Sequence, residues 1–291
     1  MRALIIGTEH VIGDILKLYL KEDYEVVDYK TFEFNLLKWD HLVSTIGKIN
    51  PQVVFFCQHV EDPFKTINPK VELARDTLDG IRNLAQGAAR FDAKLVLISS
   101  ESVFDGKKPY PQPYFEDDRT SPTTSAGQVK LESEIAALEN SMDFIIIRAG
   151  WVYHPLGEDF VKEILKKALS SQDGIISLPS NRFGSPTLSY RIAMQLKKLL
   201  QEDSKGIYHC TSEGYCSVAE AGRFILKTLN LNVEVLEYEE TEGSKEIDPG
   251  NWILENKNLK TESVNIMPFW TEDLGSFLRR YGERLLSSLK K

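Results

Sequence analysis

Short apolar runs alternate along this chain with longer segments whose apolar residues recur at helical spacing. The first run covers 3–6 and stops at Gly7, and behind it Ile12, Ile15, Leu16, Leu18 and Leu20 suit one buried helical face. A second strand is predicted at 24–29 and a helix over Trp39–Ile49, after which Pro51-Gln52 introduces a buried third strand at 53–57. A helical stripe of Leu73, Leu78, Ile81, Leu84 and Ala88 leads to a fourth run ending in Ser99-Ser100, and a helix opening near Ala126 leads to a fifth run at 144–147. Such alternation specifies an α/β chain with a doubly wound parallel sheet. Further on come an amphipathic helix at 217–229 and a final helix with Leu274, Phe277, Leu278 and Tyr281 on its apolar side. The acidic stretch 238–243 between them reads as a solvated, mobile loop.

Composition narrows the function classes. With 291 residues, 42% hydrophobic and 27% charged, the chain can bury a sizeable core and is expected to be globular. A formal net charge of -8 argues against nucleic acid as a partner, since polyanion binding favours a clustered basic surface. Cys57, Cys210 and Cys216 are odd in number and widely spaced, so reduced thiols are expected, with no disulfide framework and no metal site. The N-terminus lacks the pattern of a signal peptide and no run approaches a membrane span of ~20 apolar residues, so a cytoplasmic location is expected.

A strand that ends in small hydroxyl residues delivers them to the carboxyl edge of a parallel sheet, where open α/β folds bind ligands. Here that strand continues as Ser99-Ser100-Glu101-Ser102-Val103-Phe104-Asp105-Gly106, and the following helix opens Ala126-Gly127-Gln128-Val129-Lys130. The two segments resemble those of the extended short-chain dehydrogenase/reductase family, most closely its dTDP-4-dehydrorhamnose reductase branch, where they read STDYVFDG and Tyr-Gly-x-x-Lys. Ala126 stands at the Tyr position, whose hydroxyl in the family hands a proton to the substrate oxygen.

The resemblance implies a Rossmann-like dinucleotide-binding domain over 1–150, a smaller substrate-binding lobe over 151–291, and NAD(P)H as cofactor. It assigns Ser100 and Lys130 to catalysis, with Lys130 also holding a ribose. The phosphate turn Gly-x-x-Gly-x-x-Gly becomes Gly7, His10 and Gly13, so an imidazole, with Glu9 beside it, stands where backbone should approach pyrophosphate. Cofactor binding is therefore expected to be weak or lost, unless a protonated His10 contacts phosphate. Asp28, near the end of the second strand, is placed to accept from an adenosine ribose or to act as an ordinary turn residue. The family's third strand ends in small residues; here Phe56-Cys57-Gln58, followed by His59, are expected to crowd that edge.

In the later half, Arg148-Ala149-Gly150-Trp151-Val152-Tyr153 and Asn181-Arg182-Phe183-Gly184-Ser185-Pro186-Thr187 continue the resemblance. It nominates Glu101, Trp151, Arg182 and Thr187 for substrate. Trp151 reads equally as a substrate-facing ring or a lid on the core, and Arg182 as a diphosphate grip or a surface salt bridge. Two functions are left open. One is a nucleotide-sugar oxidoreductase in which Tyr110, Tyr114, Ser125 or His59 replaces the missing donor. The other is a non-catalytic homologue acting through a protein partner or as a homodimer, for which the regulatory subunit of methionine adenosyltransferase is the family precedent. The ligand implied in both is a nucleotide sugar or nucleotide diphosphate.

Overall fold

The computed structural model describes residues 1–57, 71–155, 158–240 and 250–289. In chain order the first half consists of β1 (Arg2–Ile6), α1 (Val11–Tyr19), β2 (Glu25–Tyr29), α2 (Trp39–Ile49), β3 (Val53–Phe56), α3 (Val71–Arg90), β4 (Lys94–Ser100), α4 (Ser125–Asn140) and β5 (Phe144–Ala149). The second half adds β6 (Val152–Tyr153), α5 (Phe160–Ser170), β7 (Ile175–Pro179), β8 (Arg182–Gly184), β9 (Thr187–Leu188), α6 (Ser189–Gln201) and β10 (Gly206–His209). It closes with β11 (Cys216–Ser217), α7 (Val218–Thr228), β12 (Glu234–Tyr238), β13 (Gly250–Asn251), α8 (Lys257–Thr261) and α9 (Trp270–Leu289).

Six strands form one parallel sheet in the order β10-β5-β4-β3-β1-β2. Its central strands read as continuous apolar runs because both faces are covered: every residue of β3 and β4 is buried. On one face Ile12, Ile15 and Leu16 of α1 join Ile192, Leu196 and Leu199 of α6. On the other, Leu42 and Ile46 of α2, Ile81, Leu84 and Ala88 of α3 and Ala136 and Ala137 of α4 complete a second core. The strand order reverses between β1 and β3, which opens a ligand crevice at their carboxyl ends.

The later residues build a lobe whose core unites α5, α7 and α9. The sixth sheet strand, β10, comes from beyond residue 150, and Leu259, Val264 and Met267 also pack on the sheet core, so the chain crosses between the halves more than once. Three details differ from the sequence pattern. Leu18, assigned to the buried stripe of α1, is 52% exposed, since the helix ends one residue later at the edge of its contact face. Tyr238 closes β12, which pairs with β7 along its whole length, while 241–243 of the acidic stretch lie outside the described residues. Phe56 packs inward among the α2, α3 and α4 side chains and does not crowd the ligand edge; Gln58 and His59 lie outside the described residues. Among the described residues no helix is long and apolar enough to cross a membrane.

Candidate nucleotide-sugar site

The turn after β1 is shaped by two glycines. Gly7 has φ +97°, and a side chain there would collide with the Cys57 carbonyl at the end of β3; one at Gly13 would collide with the Gly7 carbonyl. The strand-turn-helix frame is thus kept at close quarters, but its polar groups are committed locally. The Gly7 and Thr8 amides donate to the Tyr29 carbonyl at 2.9 and 3.3 Å, and the His10 amide donates to the Gly7 carbonyl at 3.1 Å. The Glu9 carboxylate accepts from the Thr31 amide at 3.0 Å and lies 3.7 Å from His10 Nε2. Burial works against ionising Glu9, yet the hydrogen bonds from Thr31 hold its carboxyl below the usual range.

His10 is pushed the other way from what phosphate binding needs. Burial lowers its pKa, Glu9 opposes this, and the Lys130 ammonium lowers it further. Protonation of His10 for a phosphate contact is thereby disfavoured. Asp28 points to α1 and receives the Lys17 ammonium at 2.7 Å.

At the end of β4, Ser100 caps a short turn: its Oγ accepts the Ser102 amide at 3.3 Å and lies 2.8 Å from Ser102 Oγ. The first turn of α4 is clamped to this turn. Thr124 accepts the Gly127 amide at 3.0 Å, and Gly127 abuts the Ser102 carbonyl with no room for a side chain. Lys130 is buried with Nζ 3.5 Å from the Ile98 carbonyl. Ala126 lies one helical turn earlier on the same side, half-buried. Ser100 and Lys130 are thereby carried on segments that meet at one edge of the sheet, with the Ala126 methyl one helical turn before Lys130.

Of the alternative donors, His59 lies outside the described residues, and the other three have their own settings. Tyr114 is buried against Phe104 (ring centroids 4.3 Å apart), and its hydroxyl donates to Asp105 at 2.5 Å. Burial together with this carboxylate pushes the phenol up to about 12. Tyr110 stacks on Phe183 at 3.9 Å, in a different cleft between the loop after β4 and β8. Ser125 is exposed at the start of α4.

The proposed substrate residues separate into two groups. Trp151 is 1% exposed, adopts φ +47° and packs against Gly184 and Phe160; it is a lid on the lobe core, which corrects the substrate-facing reading. Thr187 is fully buried, donating to the Ser185 carbonyl at 2.8 Å and accepting the Ser212 amide at 3.0 Å, so its hydroxyl is structural. Glu101 is buried with its carboxylate against Gly150, where a Cβ would come within 2.6 Å. Arg182 lies with its guanidinium over the Trp252 ring at 5.8 Å.

The pattern of single residues gave no sign of the ionic network behind Ser100. Arg148 and Glu134 form a buried bidentate pair, at 2.7 Å through Nη2 and 3.0 Å through Nε, and Ser99 donates to the same carboxylate. Arg148 also donates to the Glu116 carbonyl at 3.3 Å, while the Glu116 carboxylate accepts the amides of His209 and Asn258 at 3.0 and 3.1 Å. One acid thus ties the loop after β4 to β10 and α8. Glu134 is four residues from Lys130, a spacing that places it on the sheet-facing side. The three cysteines are buried free thiols, and burial pushes Cys57 up to about 12. Among the described residues no group of three or more His, Cys, Asp or Glu could hold a metal ion.

Comparison with known proteins agrees with this geometry. The family model described as "RmlD substrate binding domain" matches residues 1–283. The spore coat polysaccharide biosynthesis protein SpsK of Bacillus subtilis is 34% identical over 286 residues, covering 96% of this chain and 97% of that protein. A dTDP-4-dehydrorhamnose reductase of Sinorhizobium fredii is 28% identical over 232 residues, 77% of each chain. The crystal structure of a dTDP-4-dehydrorhamnose reductase from Clostridium acetobutylicum superposes with a TM-score of 0.87 at 25% identity, covering 98% of this chain and 99% of that one. With a match that runs from the first strand into the last helix, this chain belongs to the RmlD substrate-binding-domain family.

Proposed function

We propose that this is a dTDP-4-dehydrorhamnose reductase-like protein that binds a nucleotide sugar between the sheet edge and the later lobe, with NAD(P)H-dependent 4-keto reduction strongly reduced or lost. The observation that carries this reading is Ala126 on the clamped first turn of α4, beside Ser100 and Lys130, where reduction needs a proton donor. The Glu9 carboxylate and the His10 imidazole in the phosphate turn support weak cofactor binding, because they meet a dinucleotide with the wrong charge or bulk. Several departures at one reaction centre also support a second reading, a regulatory or scaffold homologue working through a protein partner or a second copy of the chain.

Thermal unfolding with a panel of nucleoside diphosphates and their sugars separates the two. A ligand at about 100 times its Kd stabilises a folded protein by about 2.7 kcal/mol, and a rise of several degrees in Tm is expected for at least one member. Arg182→Ala should reduce that rise, whereas Lys197→Ala, whose ammonium pairs with Asp23 on the far side of α6, should leave it unchanged. No shift across the panel, with a reductase relative responding under the same conditions, would favour the partner-binding reading.

A further inference from the structure

Helix α7 turns Val218, Ala221, Ile225 and Leu226 into the lobe core. A neighbouring face carries Glu220, Arg223, Phe224 and Lys227, at the i, i+3, i+4, i+7 spacing of residues that share one side of a helix. These four line a concavity of about 320 Å3, whose other walls include Trp270 in the first turn of α9 and Tyr215 just before β11. The volume is at the small end of the range that holds a ligand. Ser100, Lys130 and Arg182 do not line it, so it stands apart from the candidate nucleotide-sugar site.

The apolar part of the concavity is aromatic. Phe224 is a ring on an otherwise charged face of α7; it meets Trp270 with centroids 5.1 Å apart and 63° between planes, and both rings are only partly buried. Tyr215 adds a third ring, 40% exposed. Two rings set at such an angle leave a corner in which an incoming ring meets one of them offset and the other edge to face, the arrangements that aromatic groups prefer. The charges beside this corner are unequal. Arg223 is paired with Glu237 of β12, and the Glu220 carboxylate accepts the Ser217 amide at 2.7 Å in the capping box of α7. Lys227, exposed on the last turn, has no ion pair or hydrogen bond among the described residues. One uncommitted ammonium beside an aromatic corner matches a ligand that joins a flat apolar ring to a single negative charge.

We propose that this concavity binds a small aromatic carboxylate, with its ring in the corner between Phe224 and Trp270 and its carboxylate on the Lys227 ammonium. The site goes beyond the nucleotide-sugar reading and does not depend on it. An exposed ion pair changes affinity by about five-fold at most. The rings therefore supply most of the binding, and Lys227 supplies the choice of charge.

Titration of the whole chain with phenylacetate, benzyl alcohol, benzylamine and acetate tests the site. The readout is the Trp270 indole resonance in a ¹H–¹⁵N spectrum, assigned by its absence from Trp270→Phe. Phenylacetate should move that resonance saturably and bind about two- to five-fold more tightly than benzyl alcohol, whereas acetate, which has no ring, should leave it still. Lys227→Gln should bring phenylacetate to the affinity of benzyl alcohol and leave benzyl alcohol itself unchanged. Lys227→Glu, a change on an exposed side chain, should reverse the order and favour benzylamine. Equal phenylacetate affinity in the wild type and both Lys227 variants would overturn the proposal, and so would a Trp270 resonance that no ring compound moves. Either result would leave the nucleotide-sugar reading standing.

Discussion

Reduction of dTDP-4-keto-6-deoxy-L-mannose with NADPH should run about 10²–10⁴-fold more slowly on this chain than on a relative with tyrosine at the Ala126 position, the factor that a positioned general acid supplies. Reduction leaves negative charge growing on the carbonyl oxygen. Ser100 offers only a weakly acidic hydroxyl, engaged with Ser102, and the Lys130 ammonium lies against the Ile98 carbonyl. Tyr114, raised to about 12 and bonded to Asp105, is not available as a substitute. Cofactor oxidation followed by absorbance measures the effect. Ala126→Tyr alone should restore little, because Glu9 and His10 still occupy the phosphate turn; Ala126→Tyr with Glu9→Ala and His10→Gly should restore at least about ten-fold of it. Full recovery by Ala126→Tyr alone would show that the turn accepts the cofactor as it stands.

Glu134→Ala should be among the most destabilising single changes in the chain, costing about 3–5 kcal/mol in urea unfolding. The substitution leaves the Arg148 guanidinium, 3% exposed, without its carboxylate, and takes an acceptor from Ser99. Among the described residues Arg148 then keeps the Glu116 carbonyl and the Phe104 ring, with its guanidinium carbon 5.2 Å from the ring centroid. Replacing both partners with apolar residues of similar volume, Glu134→Leu with Arg148→Met, should cost much less, because no buried charge is left uncompensated. Equal losses in the single and double variants would show that the pair contributes through packing alone.

The sheet was legible because its strands are apolar runs of four to seven residues, such as Val53–Phe56 and Lys94–Ser100, and its helices show 3.6-residue stripes. The β7–β12 and β8–β13 pairings were not: they join short strands far apart in sequence, and β12 is mostly exposed. At the site, the strand end at Ser100 and the helix start that carries Ala126 and Lys130 were readable from the apolar run and the capping pattern. Trp151 and Thr187 lie in a motif that also folds the lobe: the left-handed backbone at Trp151 turns its ring into the core, the lid of its two readings, and Thr187 Oγ1 bridges Ser185 and Ser212. Asp28 was legible as a strand-end carboxylate, but its pairing with Lys17 of α1 carried no sequence signal.

The central claim is that the nucleotide-sugar frame persists while the cofactor and acid functions are eroded. Calorimetric titration of one preparation with NADPH, NADH and dTDP tests it most directly, reading both halves of the site without requiring turnover. The account predicts saturable heat with dTDP and no saturation by either reduced dinucleotide in the low micromolar range. Low-micromolar binding of NADPH or NADH would contradict it, showing that Glu9 and His10 are accommodated and that the chain retains the cofactor site of a working reductase.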